Sequence, residues 1–129
     1  MKAEGYMDIF AEIEIILTEL LDLEDTEITP DTYLIQDLGA ESIDLLELAV
    51  AINSRFRVPV KDDDIFLTRF RQYMAESEEQ GTGAVSYIAE KYPFLTKDRI
   101  GEIVSRITEG PQLKIKDLMD YVMLQSGRV

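Results

Sequence analysis

Apolar residues recur at helical spacing in every stretch of this chain long enough to build an element, and that periodicity limits the fold more than any other feature. Between Tyr6 and Leu21 they fall at Tyr6, Ile9, Phe10, Ile13, Ile16, Leu17, Leu20 and Leu21, the core-facing stripe of a first helix. Its acidic side, Asp8, Glu12, Glu19 and Asp22, reads as a solvated face. Further stripes run through Leu45, Leu48, Ala49, Ile52 and Phe56, then through Ile65, Phe66, Phe70, Tyr73 and Met74 to about Ala75. Three more follow: Val85 and Ile88; Ile100, Ile103, Val104 and Ile107; Ile115, Leu118, Met119 and Val122. Arg57 to Lys61 is too short, and too interrupted by Pro59, to make a strand. The expectation is an all-α domain of five or six helices.

The punctuation between stripes is equally readable. Thr29-Pro30-Asp31-Thr32 supplies turn chemistry, since proline fixes its own backbone and biases Thr29 away from helix. The loop from Glu24 to Leu38 is therefore long, with Tyr33, Leu34, Ile35 and Leu38 expected to pin it to the core. Asp62-Asp63-Asp64 opens a helix, where carboxylates favour the positive end of the dipole; it lacks the spaced ligands and central glycine of a calcium loop. Glu76 to Gly83 is polar and holds two glycines, so it is expected to break the helix and to be mobile. Pro93 ends the short helix Ala84–Lys91, Thr96 can cap the next, and Gly110-Pro111 stops that one.

Composition enters by exclusion. The 129 residues suit one domain. With 26 acidic residues against 13 basic, the net charge of −13 disfavours nucleic acid and favours basic partners. Cysteine and histidine are both absent, which removes the usual metal sites and the Ser-His-Asp and Cys-His catalytic sets. No catalytic residue and no metal site is expected. The first residues include Lys2, but the apolar stretch from Ile9 is interrupted by Glu12, Glu14 and Glu19. No signal peptide is expected, no run approaches the ~20 apolar residues of a membrane span, and the cytoplasm is the expected location.

The stretch Asp37-Leu38-Gly39-Ala40-Glu41-Ser42-Ile43-Asp44 draws the functional reading. Leu38-Gly39 reads as a tight turn, and Ser42 stands at a helix start, exposed and able to cap backbone N–H groups. Placed at about 100° per residue, the helix after Ser42 shows two apolar arcs. The wide arc of Leu45, Leu48, Ala49, Ile52 and Phe56 is core. The narrower one, Ile43, Leu46 and Val50 beside Glu47, suits docking to another protein, the alternative being that Leu46 and Val50 are also core. Ser42 has no histidine to serve as base and no Gly-x-Ser-x-Gly elbow around it, so it is a passive acceptor or a plain helix cap.

On Asp37-Leu38-Gly39, Ser42, Glu47, Phe56 and the closing Ile115-Lys116-Asp117-Leu118-Met119-Asp120-Tyr121-Val122, in that order, the chain resembles the acyl carrier protein family. Glu41 and Ile43 depart from the family's aspartate and leucine around the serine. The resemblance implies an acyl-carrier-like helical bundle, its core about 1–65 and 113–129, with additional helices inserted at about 66–112. It implies 4'-phosphopantetheine attached covalently to Ser42 from coenzyme A by a phosphopantetheinyl transferase, with any magnesium belonging to that enzyme. Acyl chains would be held as thioesters, for which this cysteine-free chain has no thiol of its own, and would be carried in fatty-acid, lipid or polyketide-type biosynthesis. The arm's phosphate would sit by the helix N-terminus, turned outward by Glu41 and Asp44.

Asp37, Glu41, Asp44 and Glu47, with Ile43 and Val50, would meet basic patches on acyl-transferring, condensing or acyl-activating enzymes. Arg55 and Arg57 break the acidic run where the family is usually acidic, which points to dedicated partners. The inserted residues would fold against the carrier core and extend the acyl pocket, cover it or contact a partner. The competing readings are a peptidyl carrier and an unmodified acidic helical adaptor.

Overall fold

In the computed structural model, residues 5–127 are described; Lys2 and the outer ends of the expected carrier core lie outside them. Seven α-helices run in order: α1 Tyr6–Leu21, α2 Ser42–Phe56, α3 Asp62–Phe66, α4 Phe70–Gln80, α5 Ala84–Lys91, α6 Lys97–Ser105 and α7 Ile115–Gln125, with a 3-10 turn at Ile107–Glu109 before α7. The only pairing of strand type among the described residues is a single antiparallel bridge, Tyr33 to Lys114. The all-α expectation holds; the count of five or six helices does not.

The extra helix arises at Leu67. The stripe from Ile65 to Met74 reads as one helix, yet Leu67 adopts φ +51° and closes α3 after five residues. Its side chain is buried, so the chain accepts a left-handed leucine in order to turn Phe70 into the core. The second correction concerns Glu76 to Gly83. Instead of breaking the helix, α4 continues to Gln80 and ends on Gly81 at φ +69°. Tyr87 on α5 donates to Glu76 Oε1 at 2.6 Å, and the buried Ser77 hydroxyl donates to the Met74 carbonyl at 2.7 Å. A third correction falls in the long loop: Leu34 is buried as expected, but Ile35 is exposed, and Ile28 supplies the missing anchor.

α1 and α2 lie antiparallel, with Arg55 at the end of α2 reaching Glu12 in α1 at 3.0 Å. α7 packs against both the loop and α1: its Asp120 accepts from the Tyr6 hydroxyl at 2.8 Å. Tyr6 is thus half exposed rather than a core residue. The first turns of α6 and α7 are joined by Arg99 to Asp117. One hydrophobic core takes residues from all seven helices, including Phe70, Ile88, Tyr92, Phe94, Leu95, Ile100 and Ile103 between α3 and α7. The intervening helices therefore fold against the rest, as their apolar stripes require.

Candidate functional site

The loop before α2 is built largely from its own backbone. Gly39, at φ +72°, donates to the Ile35 carbonyl at 2.9 Å, and Ala40 donates to the Leu34 carbonyl at 3.1 Å. Asp37 Oδ2 turns back to accept from the Tyr33 N–H at 2.8 Å. The start of α7 fixes the same loop through Leu34 N–H to the Leu113 carbonyl at 3.2 Å and Ile115 N–H to the Thr32 carbonyl at 3.0 Å. Arg106, from beyond α6, adds a brace with Nη1 to the Tyr33 hydroxyl at 3.0 Å and Nη2 to Gln36 Oε1 at 3.2 Å. The Tyr33 ring also lies under Arg99, Arg106 and Lys114 at 5.8, 5.2 and 5.2 Å, within the range of cation–π attraction.

α2 begins one residue earlier than a Ser42 cap requires. Glu41, with extended backbone, is the N-cap, and Asp44 Oδ2 accepts from its N–H at 2.8 Å. Ser42 occupies the first helical position, exposed, and its hydroxyl makes no hydrogen bond among the described residues. Of the two readings of Ser42, the plain helix cap finds no bond to support it: the capping contact belongs to Asp44, and the serine hydroxyl makes none among the described residues.

The expected recognition face divides in two. Ile43, Leu46 and Val50 are exposed at 59, 41 and 70%, a continuous apolar stripe, so Leu46 and Val50 are not core. Glu41 and Glu47 are exposed and in no ion pair among the described residues, whereas Asp37 and Asp44 each spend one oxygen on the loop and helix start. Arg55 is tied to Glu12, and Arg57 is exposed at φ +58°. A shallow groove of about 620 Å³ beside this face runs between α1 and α2, from Glu19 and Glu47 to Arg57 over Ile16, Leu20 and Ala51.

Behind Ser42 lies a small, mainly apolar cavity of about 30 Å³, lined by Leu45 of α2, Leu34 and Ile35 of the loop, Ile65 and Phe66 of α3, and Pro111, Gln112 and Leu113 before α7. That is room for about two or three water-sized groups. The intervening helices do not enlarge it: only the last residues before α7 reach its wall. The braces from Arg106 and the wall at Pro111–Leu113 escaped the sequence reading, because partners some 70 positions apart, such as Arg106 and Gln36, leave no mark in local spacing.

A helical domain that presents an unengaged hydroxyl at the head of an acidic helix, beside an apolar stripe and over a small apolar chamber, is built as a carrier. The model of the phosphopantetheine attachment site matches residues 11–69. An acyl carrier protein of Helicobacter pylori is 32% identical over 57 residues, 44% of this chain and 73% of that protein. One of Thermotoga maritima is 38% identical over 58 residues, 45% of this chain and 72% of that protein. No solved structure matches. The chain belongs to the acyl carrier protein family, whose members are carriers rather than enzymes and hold 4'-phosphopantetheine covalently. The match ends at Arg69, so α4 to α7 lie beyond it.

The head of α2 fits such an arm. Its hydroxyl is free, and the first-turn N–H groups have no carbonyl four residues back within the helix, which suits a phosphodiester. When bound, the arm supplies the thiol that holds an acyl group as a thioester; the chain itself has no cysteine. What the chain's own residues do is hold the serine outward and place acidic and apolar groups around it.

Proposed function

We propose that Ser42 is the attachment point, and that this chain carries acyl groups between enzymes of fatty-acid, lipid or polyketide-type biosynthesis. The observation that carries the reading is the free, exposed Ser42 hydroxyl in a helix whose capping is done by Glu41 and Asp44. A serine kept only for capping would be engaged; this one is held out to solvent. A phosphopantetheinyl transferase loads it, since no group of the chain activates the hydroxyl.

Glu41 and Glu47, with Asp37 and Asp44, steer enzymes bearing Lys/Arg patches toward Ser42, and Ile43 and Val50, joined by Leu46, supply the apolar contact. Arg57 at the far end selects partners that set a carboxylate opposite it. Residues about 1–65 and 113–129 form the carrier core and about 66–112 an insertion packed against it. A cytoplasmic setting is part of this proposal; no helix of the described residues is long and apolar enough to cross a membrane.

The test is incubation with coenzyme A and a broad-specificity phosphopantetheinyl transferase, read by intact mass. Wild type gains one arm and Ser42→Ala gains none. Because Ser42 makes no capping bond, the variant's stability stays within about 0.5 kcal/mol of wild type, so loss of modification is not loss of fold. An unmodified wild type, or equal modification of both, overturns the assignment.

A further inference from the structure

The chamber behind Ser42 is bounded on one side by α3, a single turn whose Ile65 and Phe66 form its wall. A helix of five residues has no cooperative stability of its own, so its position depends on what holds it. Two buried phenols do so. Tyr121 of α7 donates to Asp64 Oδ2 at 2.9 Å and accepts from the Lys61 N–H at 3.2 Å. Tyr92, just after α5, donates to Asp63 Oδ1 at 3.0 Å and accepts from the Arg69 N–H at 3.1 Å.

Both phenols thus hold the first turn of α3, through Asp64 and Asp63, and they fix the chain before it at Lys61 and after it at Arg69. Both rings are fixed in turn. Phe94 meets Tyr121 edge-on at 4.9 Å and Tyr92 at 6.2 Å, and Phe70 stacks on Tyr92 at 6.3 Å. Tyr92, Phe94 and Phe70 all lie beyond the stretch matched to the family.

We propose that Tyr92 and Tyr121 are positioning residues that limit the length of cargo this carrier can shelter. With the first turn of α3 held and the chain fixed on either side of it at Lys61 and Arg69, the cavity of about 30 Å³ cannot widen toward the ~300 Å³ or more of an ordinary ligand pocket. A medium or long acyl chain stays outside, and its thioester remains open to attack. The inserted helices act as a lock on α3 and not as an extension of the chamber. This rests on Ser42 carrying the arm.

The experiment uses the full chain, loaded on Ser42 with acetyl- or octanoyl-phosphopantetheine, as wild type, Tyr92→Phe, Tyr121→Phe and the double variant. Each keeps its ring and the packing around it. Asp63→Ala, at a half-exposed carboxylate, removes one of the same bonds from the other side. Hydroxylamine release of the acyl group and hydrogen exchange over residues 61–69 are measured.

In wild type the two acyl groups are released at rates within about twofold of each other; in the double variant exchange quickens about tenfold and octanoyl release slows roughly fivefold relative to acetyl. The octanoyl-to-acetyl ratio is the readout that a merely structural role would not move. Octanoyl already protected in wild type overturns the proposal, as does unchanged exchange in the double variant, or faster exchange with an unchanged ratio. Failure to load would instead appear beforehand as absence of a mass gain; it removes the carrier reading and the cargo half of this one, while exchange in the unloaded chain still decides whether the phenols hold α3.

Discussion

Arg99 and Asp117 are each no more than 1% exposed, and they meet through Arg99 Nε to both carboxylate oxygens at 3.0 Å and Nη2 to Oδ2 at 2.9 Å. The Lys114 N–H adds a bond to Oδ2 at 2.8 Å, Arg99 Nη1 donates to Glu102 at 2.7 Å, and Nη2 also donates to the Gln112 carbonyl at 2.9 Å. Both groups are buried and each neutralises the other, so removal of one partner strands a buried charge. Asp117→Ala or Arg99→Ala is expected to lose about 3–5 kcal/mol in urea unfolding; a loss below ~1 kcal/mol would refute the pair's role. Arg57 offers the opposite case. It is exposed at φ +58°, a conformation unfavourable to any side chain, so Arg57→Gly is expected to stabilise by about 0.5–1 kcal/mol, read as a rise in Tm.

At the level of elements, starts were easier to read than stops. Thr96 caps α6 as its sequence position indicates, accepting from the Arg99 N–H at 3.1 Å, and Thr96→Ala should cost about 1 kcal/mol in denaturant unfolding. The same loss is expected for Asp44→Ala, although sequence position favours Ser42 for that task. A serine and an aspartate two residues apart both satisfy capping preferences, and only the backbone at Glu41 decides between them. The break at Leu67 was illegible because Ile65, Phe66, Phe70 and Tyr73 keep helical spacing across it. The stop at Gln80 was illegible because Glu76 and Ser77 are held by partners on other turns and another helix. The exposed stripe of Ile43, Leu46 and Val50 was legible, since a second apolar arc cannot also face a core already filled by Leu45, Leu48, Ala49 and Ile52.

For the molecule as a whole, two sets of carboxyls respond oppositely to acid. Burial holds Asp64 and Asp120 above their ordinary value of 3.8. The folded state binds those protons more tightly, so stability rises as pH falls through their folded pKa. The hydrogen bond from Arg99 holds Glu102 below its ordinary 4.5, and Arg106 does the same for Glu109. Their contribution is present above about 4.5 and lost as pH falls through the lowered values; on this exposed surface solvent screening keeps it small. Relief of the net charge of −13 adds to the first effect. A Tm profile should therefore rise as pH falls from neutrality and turn down once Glu102 and Glu109 take up protons, below their ordinary 4.5. Asp120→Asn, which mimics the protonated form, should flatten the rise; an unchanged rise would show that Asp120 is not among its causes.

The contact between Tyr6 and Asp120 joins positions 114 residues apart, and α1 has no lasting partner on that side until α7 exists. On a ribosome adding ~5–20 residues per second, the 65 or so positions from Phe56 to Tyr121 take roughly 3–13 s. Throughout that interval α2 can pack on α1, but the loop that leads into it lacks its pins at Leu113 and Ile115. Any enzyme that reads the Ser42 loop in its folded setting must therefore wait until the residues around Leu113 and Ile115 have been made.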